Sequence, residues 1–344
     1  MPIKHLVITG GGPYGLCSFG ILGHLKEQGV FDPDQIESVY ATSIGCMVGL
    51  FMVLKNISYE EIREYVIHKP VCEQFALTSD HIFNLYSNKG VYDGVDVVKR
   101  FLEPIFHAEN ISPEVTMREF YEHSGVSLNF ICSDVNNGFA EYRISHDTHP
   151  DLPIYKAIAA SASIPMVFYP VHVGDACLVD GGAVANYPLH ICIENNKGCD
   201  PSEIIGIRNM YTNSPKVVVT EDSTILTYVN AFVVKMMTTL DMTYRPDTVM
   251  EIEYDIPIVI DGRVGILDKD FMTDLMNHKE ARDAQIERGF DVAKAFIANM
   301  EDGDGDGDGD GDGDGSMVED ETTHKSNHLT DEPVDHVGVG LGVV

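Results

Sequence analysis

The sequence predicts an α/β protein, a sheet with helices on both faces, and three observations carry that reading. Apolar strand-like runs alternate with helical ones through the first half of the chain. A glycine loop, Gly10-Gly11-Gly12-Pro13-Tyr14-Gly15, stands between the first strand and the first helix. The stretch "VYATSIGCMVG" (Val39–Gly49) then sets Ser43 between the second strand and the second helix.

His5–Thr9 reads as a strand, and Leu16–Gln28 as a helix closed by Gly29. Ser38–Ala41 is a second short strand. Ile44–Lys55 is apolar all round and predicts a buried helix. Ser58 with Glu61 has capping-box spacing and opens a third helix. Leu128–Ser133 and Phe139–Ile144 read as strands around the turn Asn136-Asn137-Gly138. Residues 220–300 read as mostly helical, apart from the strand-like Val249–Ile260.

Bulk properties narrow the function. Of 344 residues, 44% are apolar and 22% charged, the balance of a globular protein able to bury a sizeable core. A formal net charge of −31 argues against a nucleic-acid partner and against strongly anionic membrane surfaces. The seven cysteines show no paired or metal-like spacing, so reduced thiols and a cytosolic protein are expected. The first residues run straight into a strand and not into a secretory signal. The longest apolar run, Cys46–Leu54, is too short to span a bilayer, so no transmembrane segment is expected.

The charge is concentrated at the end. Asp302–Gly315 is an uninterrupted alternation of Asp and Gly, followed by more polar and acidic residues, which cannot build a core. Within it, Asp308, Asp310, Asp312, Gly313 and Glu319 match an EF-hand loop pattern. Any Asp-Gly alternation satisfies the first half of that pattern, however. Gly315 stands where an apolar residue belongs, and flanking helices are missing. A flexible acidic tail with no metal site is the expectation.

The glycine loop admits two functional readings. Gly10, Gly12 and Gly15 fit the spacing of a dinucleotide-binding turn, but the second strand ends in Ala41-Thr42-Ser43, with no carboxylate to hold a ribose. The alternative is an oxyanion hole of backbone N–H groups beside a helix N-terminus. The plainest reading is a tight packing turn. Ser43 has the strand–turn–helix setting of a nucleophile elbow, with Ala41 and Gly45 as small flanking residues. Taken alone, it fits a helix N-cap equally well. Further on, "AIAASASIP" (Ala157–Pro165) holds Ser161 and Ser163, and "CLVDGGAVANYPL" holds Asp180, Gly181, Gly182, Asn186 and Pro188. Asp180 closes an apolar pair and precedes two glycines, so it sits at a strand end. Partial burial there raises a carboxyl pKa and makes a better base, although a hairpin turn would also explain Asp-Gly-Gly.

In this order the glycine loop, the serine elbow, "GVYDG" (Gly90–Gly94), "CSDVNNG" (Cys132–Gly138), "AIAASASIP" and "DGG" with "NYPL" resemble the patatin-like phospholipases, over about His5 to Leu189. The resemblance implies a three-layer α/β/α fold with a central mostly parallel sheet. It implies Ser43 as nucleophile and Asp180 as proton acceptor in a dyad without histidine. The backbone of Gly10, Gly11, Gly12, Pro13, Tyr14 and Gly15 would form the oxyanion hole. Ala41, Thr42, Ile44 and Gly45 would shape the elbow, and Gly181 and Gly182 the aspartate's turn. His172, close before Asp180, is the one histidine worth checking and reads as structural. The chain departs from the family at Ala41, where glycine is usual, and at Tyr14, where a basic residue is usual; Tyr14 thus removes a cation near the loop.

The expected activity is hydrolysis of fatty-acyl esters of lipids or phospholipids through an acyl-enzyme, at a membrane or micelle interface, with no metal or organic cofactor. The expected location is cytoplasmic with transient membrane association. The apolar stretch Phe75–Tyr92 and Met236, Met237 and Met242 are candidates to line an acyl groove. A catalytically weak lipid-binding scaffold is the rival reading, and a dinucleotide-dependent oxidoreductase a distant third. The expected organisation is a catalytic domain over 1–215, a mostly helical extension over 216–300 and a disordered acidic tail over 301–344.

Overall fold

The computed structural model describes residues 1–69, 85–212, 219–223, 225–244, 251–261 and 269–303. In chain order the strands are β1 (His5–Ile8), β2 (Ser38–Thr42), β3 (Gly90–Tyr92), β4 (Ser127–Asp134), β5 (Ala140–Ile144), β6 (Met166–Phe168), β7 (Val171–Val173), β8 (Ala176–Asp180), β9 (Ile204–Tyr211) and β10 (Tyr254–Ile260). The helices are α1 (Gly15–Glu27), α2 (Ile44–Met52), α3 (Tyr59–His68), α4 (Gly94–Glu109), α5 (Met117–Ser124), α6 (Ile154–Ser161), α7 (Leu189–Asn195), α8 (Ile225–Tyr244), α9 (Lys269–Asn277) and α10 (Lys279–Gly303).

Among the described residues eight strands form the main sheet, in the order β10-β9-β1-β2-β4-β8-β7, with β5 also on β4. The five strands from β10 to β4 are parallel; β5, β7 and β8 run antiparallel to their neighbours. β3 and β6 pair separately. β1 and β2 are buried along their whole length, as expected of strands covered on both faces. Successive residues in these strands enter different cores. Leu6, Ile8, Val39, Ala41, Phe130 and Cys132 join one apolar cluster with α1, α2, α4 and α6. Val7, Tyr40 and Ile131 join a second with α7, against which Met237 and Leu240 of α8 pack. This period of two, with helices on either side, makes the molecule a three-layer α/β/α structure.

The junction that matters for function lies on β4. Its residues Ser127–Ile131 pair with β2, and Cys132–Asp134 pair with β8. Ile131 and Cys132 also pair with Arg143 and Tyr142 of β5, which takes the opposite edge. β2 and β8 therefore share one edge of β4 and meet end to end. Thr42 stands opposite Ile131 and Asp180 opposite Cys132, so the ends of two strands 138 positions apart in sequence are neighbours.

Local signals explain most element ends. Gly29 takes the left-handed conformation just after α1, and the Ser58–Glu61 capping box opens α3. The helix expected over Ile44–Lys55 stops at Met52. The Glu109 carboxylate, at the end of α4, takes the N–H groups of Lys55, Asn56 and Ile57 and so turns the chain out of the helix. The Asn136-Asn137-Gly138 turn joins β4 to β5, with Gly138 left-handed. Of the strand-like Val249–Ile260, Tyr254–Ile260 forms β10, in parallel register with β9.

The C-terminal helices pack on this frame. At the crossing of α1 and α10 a β-carbon on Gly20 would lie 2.1 Å from the Ile286 carbonyl oxygen, which glycine avoids. Arg282, almost fully buried, donates to the carbonyls of Ile67 at the end of α3 and of Leu275 at the end of α9. One guanidinium thus satisfies the open ends of two helices. Met1–Glu301 form one compact unit. Residues 304–344, with the EF-hand-like pattern Asp308–Glu319, lie outside the described residues.

Candidate active site

β2 ends in a sharp turn into α2, and Ser43 occupies it with φ 54° and ψ −128°. A non-glycine residue there is strained by about 1–3 kcal/mol, so its surroundings must hold it. The Ser43 N–H donates to Ser161 Oγ at 2.9 Å, and Ser161 Oγ in turn donates to the Ile131 carbonyl at 2.5 Å. Gly45 lets the turn approach β1, since a β-carbon there would lie 2.7 Å from the carbonyls of Ile8 and Thr9. Ala41 is fully buried, and its carbonyl accepts from Cys46 Sγ at 3.3 Å.

Ser43 stands at the N-cap position of α2 yet makes no side-chain capping bond. Its hydroxyl donates instead to Asp180 Oδ2 at 2.7 Å. The N-cap reading is thereby displaced by a serine–aspartate pair. Asp180 closes β8 and its backbone is tied on both sides. Its N–H donates to the Ser163 carbonyl at 2.9 Å, and its carbonyl accepts from Ser133 Oγ at 2.9 Å. The Asp-Gly-Gly segment is a 3-10 turn over Gly181–Ala183, whose Gly182 N–H donates to Asp180 Oδ1 at 2.7 Å. Burial pushes the Asp180 carboxyl up to about 6; the bonds from Ser43 and Gly182 hold it down in part. Such a carboxylate, at hydrogen-bond distance from a hydroxyl, can accept its proton near neutral pH.

The glycine loop lies against this pair. A β-carbon on Gly10 would come within 3.1 Å of Ser43 Cβ. The loop is fastened by Gly10 N–H to the Asn186 carbonyl at 3.0 Å, and by Thr42 Oγ1 to the Ala185 carbonyl at 2.7 Å nearby. Gly12 has φ 52°, a conformation that favours glycine, and opens the 3-10 turn Gly12–Tyr14 before α1. Among the described residues neither the Gly11 nor the Gly12 N–H meets an acceptor. Both donors are therefore free to bind a ligand, in a loop whose Gly10 packs against Ser43.

The residues outside the pair fall as follows. Tyr14 is buried, its ring 5.5 Å from that of Phe271 in α9, and the Arg288 guanidinium of α10 lies over it at 5.8 Å. Arg288 thus brings a cation onto the Tyr14 ring from 274 positions further along the chain, a contact no local pattern announces. His172 is exposed on β7, and the bonds to the Asp180 carboxylate come from Ser43 and Gly182 instead. Met237 approaches the aspartate turn, its Cε 3.5 Å from where a Gly182 β-carbon would be. Met236 lies on the same helix. The Met242 side chain and most of Phe75–Tyr92 lie outside the described residues. Among the described residues no group of three or more His, Cys, Asp or Glu side chains is placed to hold a metal, and no helix is long and apolar enough to cross a membrane.

The family model of the patatin-like phospholipases matches residues 6–193, more than half of the chain, and the chain belongs to that family of lipid hydrolases. Among curated proteins it is 25% identical over 216 residues to the probable lipid hydrolase 463L of Invertebrate iridescent virus 6, covering 61% of this chain and 71% of that one. It is 27% identical over 206 residues to the uncharacterized protein YqhO of Bacillus subtilis, covering 56% and 67%. It is 24% identical over 172 residues to the triacylglycerol lipase ptl3 of Schizosaccharomyces pombe, covering 47% of this chain and 33% of the lipase. Among solved structures, VipD from Legionella pneumophila aligns with a TM-score of 0.48 at 15% identity, over 87% of this chain and 67% of that one.

Proposed function

We propose that this chain hydrolyses fatty-acyl esters of lipids through a covalent acyl-enzyme on Ser43. The observation that carries the reading is the 2.7 Å bond from Ser43 Oγ to Asp180 Oδ2, made by a buried carboxylate whose pKa is pushed up to about 6. Asp180 takes the hydroxyl proton as Ser43 Oγ forms its bond to the ester carbonyl carbon, and the Gly11 and Gly12 N–H groups receive the negative oxygen. The tetrahedral centre collapses, the alcohol leaves with the proton from Asp180, and the acyl group stays on Ser43. Water then loses a proton to Asp180, attacks the acyl carbon and releases the fatty acid, returning the proton to Ser43. Because Asp180 serves as acceptor and donor in turn, a pKa near neutrality suits both halves of the cycle.

The substrate is drawn from a lipid interface, a micelle or a membrane surface. With its net charge of −31 the chain favours neutral or zwitterionic lipid over anionic lipid. The six described cysteines are free thiols, which suits a reducing compartment such as the cytoplasm. The test is release of nitrophenol from a short-chain nitrophenyl ester by purified protein, with Ser43→Ala as control. Turnover that Ser43→Ala abolishes supports the reading. Lipid binding without turnover by the wild-type protein would leave a scaffold in its place.

A further inference from the structure

We propose that Asn209 is the positioning residue of the oxyanion loop: its amide holds the Gly10 carbonyl and thereby aims the Gly11 N–H at the reacting oxygen. The inference rests on the hydrolase reading above, and it concerns a residue outside the matched family region, which ends at residue 193.

The placement follows from strand register. β1 and β9 are parallel with Ile8 opposite Ile207, and Thr9 N–H continues the ladder to the Ile207 carbonyl at 3.0 Å. Two residues further on, Gly10 and Asn209 are side by side. Asn209 Nδ2 makes the shortest bond to the Gly10 carbonyl, at 2.8 Å; Thr9 Oγ1 and Asn186 Nδ2 reach the same oxygen at 3.0 and 3.3 Å. In a trans peptide the C=O of one residue and the N–H of the next point in opposite directions. Fixing the Gly10 oxygen therefore fixes the direction of the Gly11 N–H, which meets no acceptor among the described residues. The fit is tight: a β-carbon on Gly11 would lie 2.4 Å from Asn209 Nδ2.

A second observation separates this role from ordinary structural support. Asn209 Oδ1 is buried and has no hydrogen-bond partner among the described residues. An amide that leaves a buried oxygen unsatisfied is a poor choice for stability alone, since leucine of similar shape would remove the penalty. Turning the amide over would set Oδ1 against the Gly10 carbonyl, oxygen on oxygen. Only the donor side of this side chain has a use, and that use is the glycine loop.

The experiment compares Asn209→Leu and Asn209→Asp with wild type and Ser43→Ala in the full chain. Three quantities are read: kcat and KM on a short-chain nitrophenyl ester, melting temperature, and amide hydrogen exchange of peptides covering residues 9–15. For Asn209→Leu we expect kcat to fall about 10- to 100-fold, below the loss expected from deleting an oxyanion donor outright, with KM little changed. Its melting temperature should hold or rise, while exchange in the loop accelerates. Asn209→Asp, which faces an acceptor with an acceptor, should lose more activity than Asn209→Leu. Full kcat in a folded Asn209→Leu, while Ser43→Ala is inactive, overturns the inference and leaves the hydrolase reading standing. Faster loop exchange in a protein whose wild type turns over no ester supports the pinning and removes the hydrolase reading. A lower melting temperature with unchanged loop exchange assigns Asn209 to structural support and also overturns the inference.

Discussion

Glu109, at the end of α4, and Asp180, at the end of β8, are both carboxylates with almost no solvent exposure, 0% and 3%. Their surroundings differ. Glu109 accepts the N–H groups of Lys55, Asn56 and Ile57, the Asn56 side-chain amide at 3.4 Å and His123 Nε2 at 3.0 Å. Its lone pairs are taken up, and it works as a clamp on the loop between α2 and α3. Asp180 has two side-chain donors, the Ser43 hydroxyl and the Gly182 N–H. A carboxylate has room for about four bonds, so Asp180 remains a base. Burial by itself does not mark a reactive acid; the number and kind of donors decide whether the group is spent on the fold or kept for chemistry.

The sharpest separation of the two is activity. Asp180→Asn should lower kcat on the order of a thousandfold or more, because nucleophile and base act as one unit, whereas Glu109→Gln should leave the kcat of the folded fraction unchanged. Stability should move in opposite directions, as chemical denaturation at pH 8 can show. Glu109→Gln leaves buried N–H groups poorly matched and should destabilise by about 2–3 kcal/mol. The Asp180 carboxyl is raised from 3.8 to about 6, so its contribution is fully favourable below the lower value and is lost as pH rises through the upper. At pH 8 the loss amounts to about 3 kcal/mol, much of which Asp180→Asn should recover. If both variants shift stability the same way, the contrast between clamp and base fails.

The same titration has a kinetic side. The base must be ionised to accept the Ser43 proton, so kcat/KM should be flat above about pH 6 and fall about tenfold per unit below it. A profile flat down to pH 4.5 would remove Asp180 from the role. Ser161→Ala takes away the acceptor of the Ser43 N–H and loosens the strained elbow; kcat should fall about tenfold, with the inactivation rate by an alkyl phosphonate falling in parallel. The smallest effect is expected from Ala41→Gly, within about threefold in kcat, since Ala41 is already accommodated in the core and touches no reacting atom. A gain of several orders of magnitude there would make the natural protein an impaired enzyme.

Much of this arrangement was legible in the sequence where the signal is local. The strand–glycine loop–helix unit, the elbow at Ser43 and the turn after Asp180 each announce themselves through turn chemistry and short apolar runs. Their meeting does not. The end-to-end junction of β2 and β8 on β4 is a matter of register between distant strands. Asn209 and Arg288 reach the loop from β9 and α10, and an isolated Asn or Arg on an ordinary element carries no mark of its destination. Glu109 was missed for the same reason: at the end of an amphipathic helix an acidic residue looks like a solvated one. The expectation that α2 would run on to Lys55 followed from that omission.

The position of β10 bears on how the chain is made. β9 pairs with β1 on one edge and with β10 on the other, and β10 begins 43 positions after β9 ends. On a ribosome adding about 5–20 residues per second, the outer edge of β9 is complete some seconds before its partner emerges. During that interval Ile205 and Ile207, buried in the finished protein, stand on an open strand edge able to pair with another nascent chain. Once β10 docks, the new edge carries Pro257, which has no N–H to offer. β10, the edge strand of this sheet among the described residues, thus closes a synthesis-time hazard and presents a blunter edge in its place.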